Sequence, residues 1–164
     1  MREGPVTLRP MARGDAAALL AIHETPGVRE WWGAPVEGFP FEDEDATRFT
    51  ILVDDRIAGL IQFSEEDDPA FRHATVDIFL DAAVTGRGHG TAAIRLLVRH
   101  LVEERGHHRV TIDPAADNVA AIRSYGKAGF RPVGTLHAAW RDDDGAWRDL
   151  LLMELVDRER LSRT

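Results

Sequence analysis

GRGHGTAAIRLLVRHL, residues 86–101, sets three glycines directly against an apolar-periodic segment. Ile94, Leu97, Val98 and Leu101 stand at i, i+3, i+4 and i+7, which predicts an amphipathic helix that opens after Gly90 and stops at Gly106. Upstream, residues 73–80 alternate with Val76, Ile78 and Leu80 on one face, which predicts a strand. Strand, glycines and helix in that order make an anion site. Glycines let backbone N–H groups turn inward and let a ligand approach the chain closely. The helix N-terminus adds unpaired N–H groups and the positive end of its dipole, and Arg87 and His89 can add charge. Neither common nucleotide fingerprint fits: no Gly-Lys-Ser/Thr closes the loop, and Thr91 stands where G-x-G-x-x-G has its third glycine. On its residues alone the loop reads equally as a phosphate cradle or as a tight turn.

Towards the N-terminus, VTLRP (6–10) reads as a strand that stops at proline, and Asp15 as the cap of a short helix carrying Ala17, Leu19, Leu20 and Ile22. REWWG (29–33) ends a second short helix, and FTILV (49–53) and IAGLIQF (57–63) flank Asp54, Asp55 and Arg56 as a hairpin. Downstream, RVTI (109–112) is a buried strand, and Asp117 or Asn118 caps a helix through Ala128 that Gly129 ends. Residues 133–140 then pair with 147–155 across DDDG. No repeat or long linker interrupts this order. The expectation is one mixed α/β (α+β) domain over residues 1–164 with a largely antiparallel first half.

The 164 residues suffice for one hydrophobic core. The absence of cysteine excludes disulfides and thiolate metal sites. The seven histidines show no metal-ligand spacing, and the adjacent His107 and His108 read as favourable charge at a helix end. No apolar run approaches the ~20 residues of a membrane span, and MREGPVTLRP has no signal-peptide core. A cytoplasmic protein without membrane contact is therefore expected. A net charge of −8 argues against nucleic acid as partner. Acid clusters at 42–45 (EDED), 65–68 (EEDD) and 142–144 (DDD). These runs are either solvated loop tips or a field that draws in a cationic small molecule.

TIDPAADNVAAIRSYGKAGFRPVG (111–134) contains N-x-x-A-I-x-x-Y-x-K-x-G-F. Together with TGRGHG (85–90), it resembles the GNAT superfamily of acyl-CoA N-acetyltransferases, and the order of elements over most of the chain is similar to that family's. The resemblance implies the GNAT fold: a mixed, mostly antiparallel six- to seven-stranded sheet flanked by about four helices. It also implies acetyl-CoA as co-substrate and no metal. The family loop usually reads Q/R-x-x-G-x-G/A. Thr85 stands at the leading position, which removes one side chain near the pyrophosphate and leaves the backbone amides. By the same resemblance Gly86, Arg87, Gly88, His89, Gly90 and Thr91 hold the pyrophosphate. The backbone of Ile78, Phe79 and Leu80 pairs with the pantetheine arm, and Asn118 hydrogen-bonds that arm while capping its helix.

REWWG, the lone Asp77 in the strand before the loop, and TIDP before the last long helix are similar to aminoglycoside 6′-N-acetyltransferases. This implies acetyl transfer to a primary amine of a polycationic small molecule, an aminoglycoside 6′-amine first. Siderophore lysine precursors and protein N-termini are the other acceptors that the tryptophan pair and the layout suggest. An inert CoA-binding sensor is the alternative of another class, and Tyr125 and Asp77 argue against it. A monomer or homodimer is expected.

Acetyl transfer needs a neutral amine, a stabilised oxyanion and a proton for the leaving thiolate. Tyr125, a phenol with pKa near ~10, is the candidate acid, and by the resemblance it also lies against the cofactor. Asp77 points away from the side of Val76 and Ile78. It is a solvent-facing strand residue or, by the resemblance, the base or ammonium anchor. An unshifted carboxylate at ~3.9 favours anchoring with water-relayed proton removal. Asp113, between a buried strand and Pro114, binds a second ammonium or makes a turn. Trp31 and Trp32 are a stacking wall for the acceptor or core anchors, one of each being expected of an adjacent pair. Gly126 has no functional account.

Overall fold

Two adjacent aspartates turn the chain at the expected hairpin. Asp54 and Asp55 take positive φ, 49° and 62°, the left-handed pair that a two-residue hairpin turn needs and that aspartate tolerates. β1 (Arg2–Glu3) and β2 (Val6–Pro10) lead antiparallel into β3 (Thr47–Val53) and β4 (Arg56–Glu66), and β5 (His73–Leu80) pairs antiparallel with β4. β6 (Arg109–Ile112) joins β5 in parallel. The hairpin of β7 (Arg131–Arg141) and β8 (Trp147–Val156) completes the order β1-β2-β3-β4-β5-β6-β8-β7. This is a computed structural model, and it describes residues 1–42 and 45–158. The sheet has eight strands where six to seven were expected. The extra one, β1, spans two residues, too few to show an alternating pattern.

Strand alternation sorts the core into two layers. On one face Leu60 and Phe79 meet Leu19 of α1 (Ala16–His23) and Val28 of α2 (Pro26–Trp32). On the other, Ile51, Ile61 and Val76 meet Ile94 and Leu97 of α3 (His89–Arg99), the stripe read from the sequence. α4 (Val119–Lys127) packs beside α3 on that face. α3 runs on through a π-helical turn, His100–Glu104, before Gly106 takes φ 82°.

Two readings need correction. Asp15 does not cap α1 with its side chain. Its carboxylate accepts two bonds from Arg9 (2.6 and 2.7 Å), the Ala12 N–H (2.9 Å) and the Thr50 hydroxyl (2.7 Å), tying β2 and β3 to the turn before α1. The Arg9 guanidinium holds that carboxyl far below its ordinary range. His107 does not stand exposed at the helix end but is a fully buried side chain beyond the helix, with Nε2 2.6 Å from Glu65 Oε1. Arg105 takes the other carboxylate oxygen at 2.6 Å. Glu65 is therefore spent inside β4 rather than at a solvated tip, and Glu66 ends that strand exposed.

One departure from regularity makes the site. β5 and β6 pair only at Ala74↔Val110 and Thr75↔Thr111, where the two threonine hydroxyls also meet at 3.0 Å. Past Thr75, β5 continues to Leu80 without a β6 partner, and the sheet opens.

Candidate active site

The opening leads into a cavity of about 890 Å³. It is lined by Asp77 and Asp113, just past the last β5–β6 pairing, and by the glycine loop that follows β5. Gly86 and Gly88 take φ 74° and 85°, and Gly88 is the N-cap of α3. A Cβ at either would meet nothing within 4 Å, so the loop's flank is open to a ligand. Thr91 and Ser124 join their hydroxyls at 2.9 Å and fix the start of α3 to α4. Gly86, Gly88, Gly90 and Thr91 line the cavity; Arg87 and His89 do not. His89 instead donates Nδ1–H to the Val84 carbonyl at 3.0 Å, which sets its tautomer because a carbonyl can only accept. Asn118 is the residue that caps α4, its Oδ1 accepting the Ala121 N–H at 3.1 Å, and it too lines the cavity. Asp117 is drawn off to Arg148.

Parity on the strands brings the polar residues together. Asp77 shares the face of Thr75 and Phe79, and Asp113 continues the face of Thr111, so the two carboxylates flank the gap on one side. Tyr125 reaches the gap from α4, on the opposite layer, and is buried. The three interact electrostatically. Burial, reinforced by the charge of Asp113, pushes the Asp77 carboxyl up to about 6 against a bond from Gln62 that favours ionisation. The assumption of an unshifted carboxylate is thereby overturned: Asp77 is a far better proton acceptor than a solvated aspartate. Burial raises Asp113 as well. Burial first, then the charges of Asp77 and Asp113, raise the Tyr125 phenol above its ordinary value.

The adjacent tryptophans differ in setting. Trp32 packs edge-on against His23 and Phe79, with centroids 5.8 and 5.1 Å away, and its indole N–H donates to the Ile78 carbonyl at 3.2 Å. Both tryptophans are half-buried and line the cavity, and only Trp32 is also tied to the core in this way. Of the acidic runs, Asp143 spends both oxygens, on Arg29 (2.7 Å) and the Ala34 N–H (2.9 Å), clamping the β7–β8 turn to the end of α2. Asp142 accepts from the Ala146 N–H and from Arg148. Asp43 and Glu44 lie outside the described residues. Three cavity residues carried no sequence signal of their own: Trp140 on β7, Ser124 on α4, and Glu30 beside the tryptophans. Gln62, which faces Asp77 across the β4–β5 register, was legible as a lone polar residue in an apolar strand. Among the described residues no cluster of three His, Asp or Glu could hold a metal, and no helix is long and apolar enough to cross a membrane.

A slot that begins at a backbone anion cradle and ends beside a buried phenol suits an extended, phosphate-tailed donor, and transferases fed by coenzyme A are the class built this way. The chain belongs to the acetyltransferase (GNAT) family, whose model matches residues 13–130. It is similar to the aminoglycoside N(6′)-acetyltransferase type 1 of Klebsiella pneumoniae, 29% identical over 154 residues that cover 80% of this chain and 76% of that protein. It is similar in structure to the aminoglycoside acetyltransferase AAC(6′)-Ib in complex with coenzyme A, with TM-score 0.76, 29% identity, and 97% and 98% of the two chains covered. A spermidine N-acetyltransferase of Vibrio cholerae, crystallised with CoA and spermine, shares the fold with TM-score 0.81 at 20% identity, covering 97% of this chain and 99% of that one. The chain is thus an acetyl-CoA-dependent N-acetyltransferase related to the aminoglycoside 6′-enzymes, with acetyl-CoA as its co-substrate.

Proposed function

We propose that residues 1–164 act as one catalytic domain that transfers the acetyl group of acetyl-CoA to a primary amine of a polycationic small molecule, an aminoglycoside 6′-amine first. The carrying observation is the pair of half-shielded carboxylates, Asp77 and Asp113, facing one gap with Tyr125. Kinship with aminoglycoside 6′-acetyltransferases supports the choice of acceptor.

In this reading the pyrophosphate lies on the amides of residues 86–91, and the pantetheine arm completes the edge of β5 at residues 78–80, where β6 has departed. The acceptor stacks on Trp31, and Asp113 holds one of its ammonium groups. Asp77 takes the proton of the reacting amine, whose nitrogen attacks the thioester carbonyl while a β5 backbone N–H faces the oxyanion. The carbon–sulfur bond breaks and Tyr125 gives its proton to the sulfur, leaving an acetamide and CoA. The two transfers assist each other. The charge of Asp77 is one reason the phenol holds its proton so firmly, so neutralising Asp77 makes Tyr125 a stronger acid when the thiolate departs.

A thiol-release assay with acetyl-CoA tests the acceptor. Kanamycin-like aminoglycosides with a free 6′-amine should react and their 6′-hydroxyl analogues should not. Equal acetylation of both would refute the 6′ position. Reaction only with lysine derivatives or peptides would refute the acceptor class, and reaction only with polyamines would keep that class and refute the aminoglycoside.

A further inference from the structure

We propose that Trp140, drawn into the cavity by a strained bulge in β7, gives its indole N–H to an oxygen of the acceptor, and so selects polycations that carry hydroxyl or ether oxygens over plain polyamines. The inference deepens the acceptor reading above and rests on it. Between Leu136 and Trp140, β7 advances four residues while β8 advances two, from Leu150 to Arg148. Two residues of β7 are therefore looped out. Without them Trp140 would stand opposite Ala146 in the turn. With them it stands opposite Arg148, drawn along the strand by roughly 7 Å towards Leu150. The pairing of Thr111 with Glu154 puts the even residues of β8 on the face that Asp113 continues. Trp140 thus shares the side of Asp77 and Asp113, and it lines the cavity with them and with Leu150.

The bulge is strained and is held. Ala138 takes φ 48°, a left-handed conformation that alanine, without the short polar side chain of aspartate, rarely adopts. Asp149, between Arg148 and Leu150 on β8, spans the bulge. Its Oδ1 accepts the Ala138 N–H at 2.8 Å, and its Oδ2 meets Nδ1 of His137 at 3.0 Å. Its backbone carbonyl accepts the Ala116 N–H at 3.0 Å, three residues beyond Asp113, so one short segment of β8 places both Trp140 and the chain after Asp113.

The Trp140 side chain is half-buried, yet its Nε1 is shielded from water and has no partner among the described residues. An indole N–H can only donate, and a buried donor without an acceptor destabilises the fold. The ring borders the cavity, so a bound lone pair can answer it after a small turn of the side chain. Asp77 and Asp113 draw ammonium groups of any polycation. A plain polyamine at neutral pH offers ammonium groups and methylenes, none of which accepts a hydrogen bond. A polycation built on sugar rings offers oxygens beside its amines. The carboxylates set the charge of the acceptor, and Trp140 sets its oxygen.

Calorimetric titration of the CoA-bound protein with kanamycin and with spermine tests this on the parent, W140F, D149A and the double variant. The parent should bind kanamycin more tightly than spermine. Phenylalanine keeps an aromatic wall and removes the N–H. W140F should therefore weaken kanamycin by about tenfold, leave spermine within about twofold, and leave CoA affinity unchanged. D149A releases the bulge and should weaken kanamycin about as much, and the double variant should lose little more than either. A merely structural role for Asp149 would instead add its loss to that of W140F. W140F keeps the packing of the ring, so it should melt close to the parent and carries the test even if D149A does not fold. A parent that binds no aminoglycoside, or prefers spermine, refutes the aminoglycoside reading and this proposal with it. A parent that prefers kanamycin while W140F binds it unchanged, or a W140F that weakens kanamycin, spermine and CoA alike, overturns this proposal alone.

Discussion

Asp77→Asn should make the protein more stable and less active at once. Burial moves the Asp77 carboxyl from its ordinary 3.8 up to about 6. The folded state therefore binds this proton more tightly than the unfolded chain does. The cost of the buried carboxylate is fully present above about pH 6 and fades as pH falls towards 4. The displacement corresponds to up to ~3 kcal/mol at neutral pH. Asparagine removes the charge, keeps nearly the same shape and can still bond Gln62. At pH 7.5 the variant should melt higher by up to about 6–12 °C, given roughly 2–4 °C per kcal/mol for a chain of this size. At pH 4 the two proteins should melt together. Turnover should fall by about 10²–10⁴-fold, as for loss of a general base, and kcat/KM of the parent should itself decline as pH drops through about 6. Scanning calorimetry between pH 4 and 8, beside steady-state kinetics, checks both halves. A variant that melts lower than the parent at pH 7.5, or a gain that does not depend on pH, would refute the claim that an ionised, poorly solvated carboxylate stands at this position.

Tyr125→Phe should lower turnover by about tenfold or more while CoA affinity by titration hardly changes, since the ring's packing is kept and only the proton donor goes. Gly88→Val should abolish measurable CoA binding by calorimetry: φ of 85° is hostile to a β-branched residue, and the side chain would project into space left open for the ligand. Gly126→Ala should raise stability by ~0.5–1 kcal/mol in chemical denaturation, because the position is inside α4 and a Cβ there touches nothing.

What could be read beforehand was whatever is local or periodic. The α3 stripe, the left-handed glycine before it, the Asn118 cap and the outward parity of Asp77 each depend on residues within one or two turns or one strand. What could not be read joins distant parts of the chain. The Arg29–Asp143 clamp spans 114 residues and turned an apparent field of free acid into a fastening. The His107–Glu65 contact spans 42, and the same distance in sequence hid a buried histidine behind a surface-like pair. Trp140 reaches the cavity only because a hairpin folds back over it. The altered acidity of Asp77 depends on burial and on Asp113, neither of which a strand pattern reports.

The parting of β5 from β6 also has a mechanical side. Strands 1–5 and 6–8 are two blades that share a single hinge line at Ala74 and Thr75. That line is riveted. Glu65, opposite Ala74 in the β4–β5 register, grips Arg105 and His107 just ahead of β6. Beyond that line no ladder joins the blades, and side chains take over: Arg29 and Asp143 fasten α2 to the β7–β8 turn, and Thr91 and Ser124 fasten α3 to α4. The split sheet is thus a wedge pinned at its apex and strapped farther out, with the room between the straps left for a long donor.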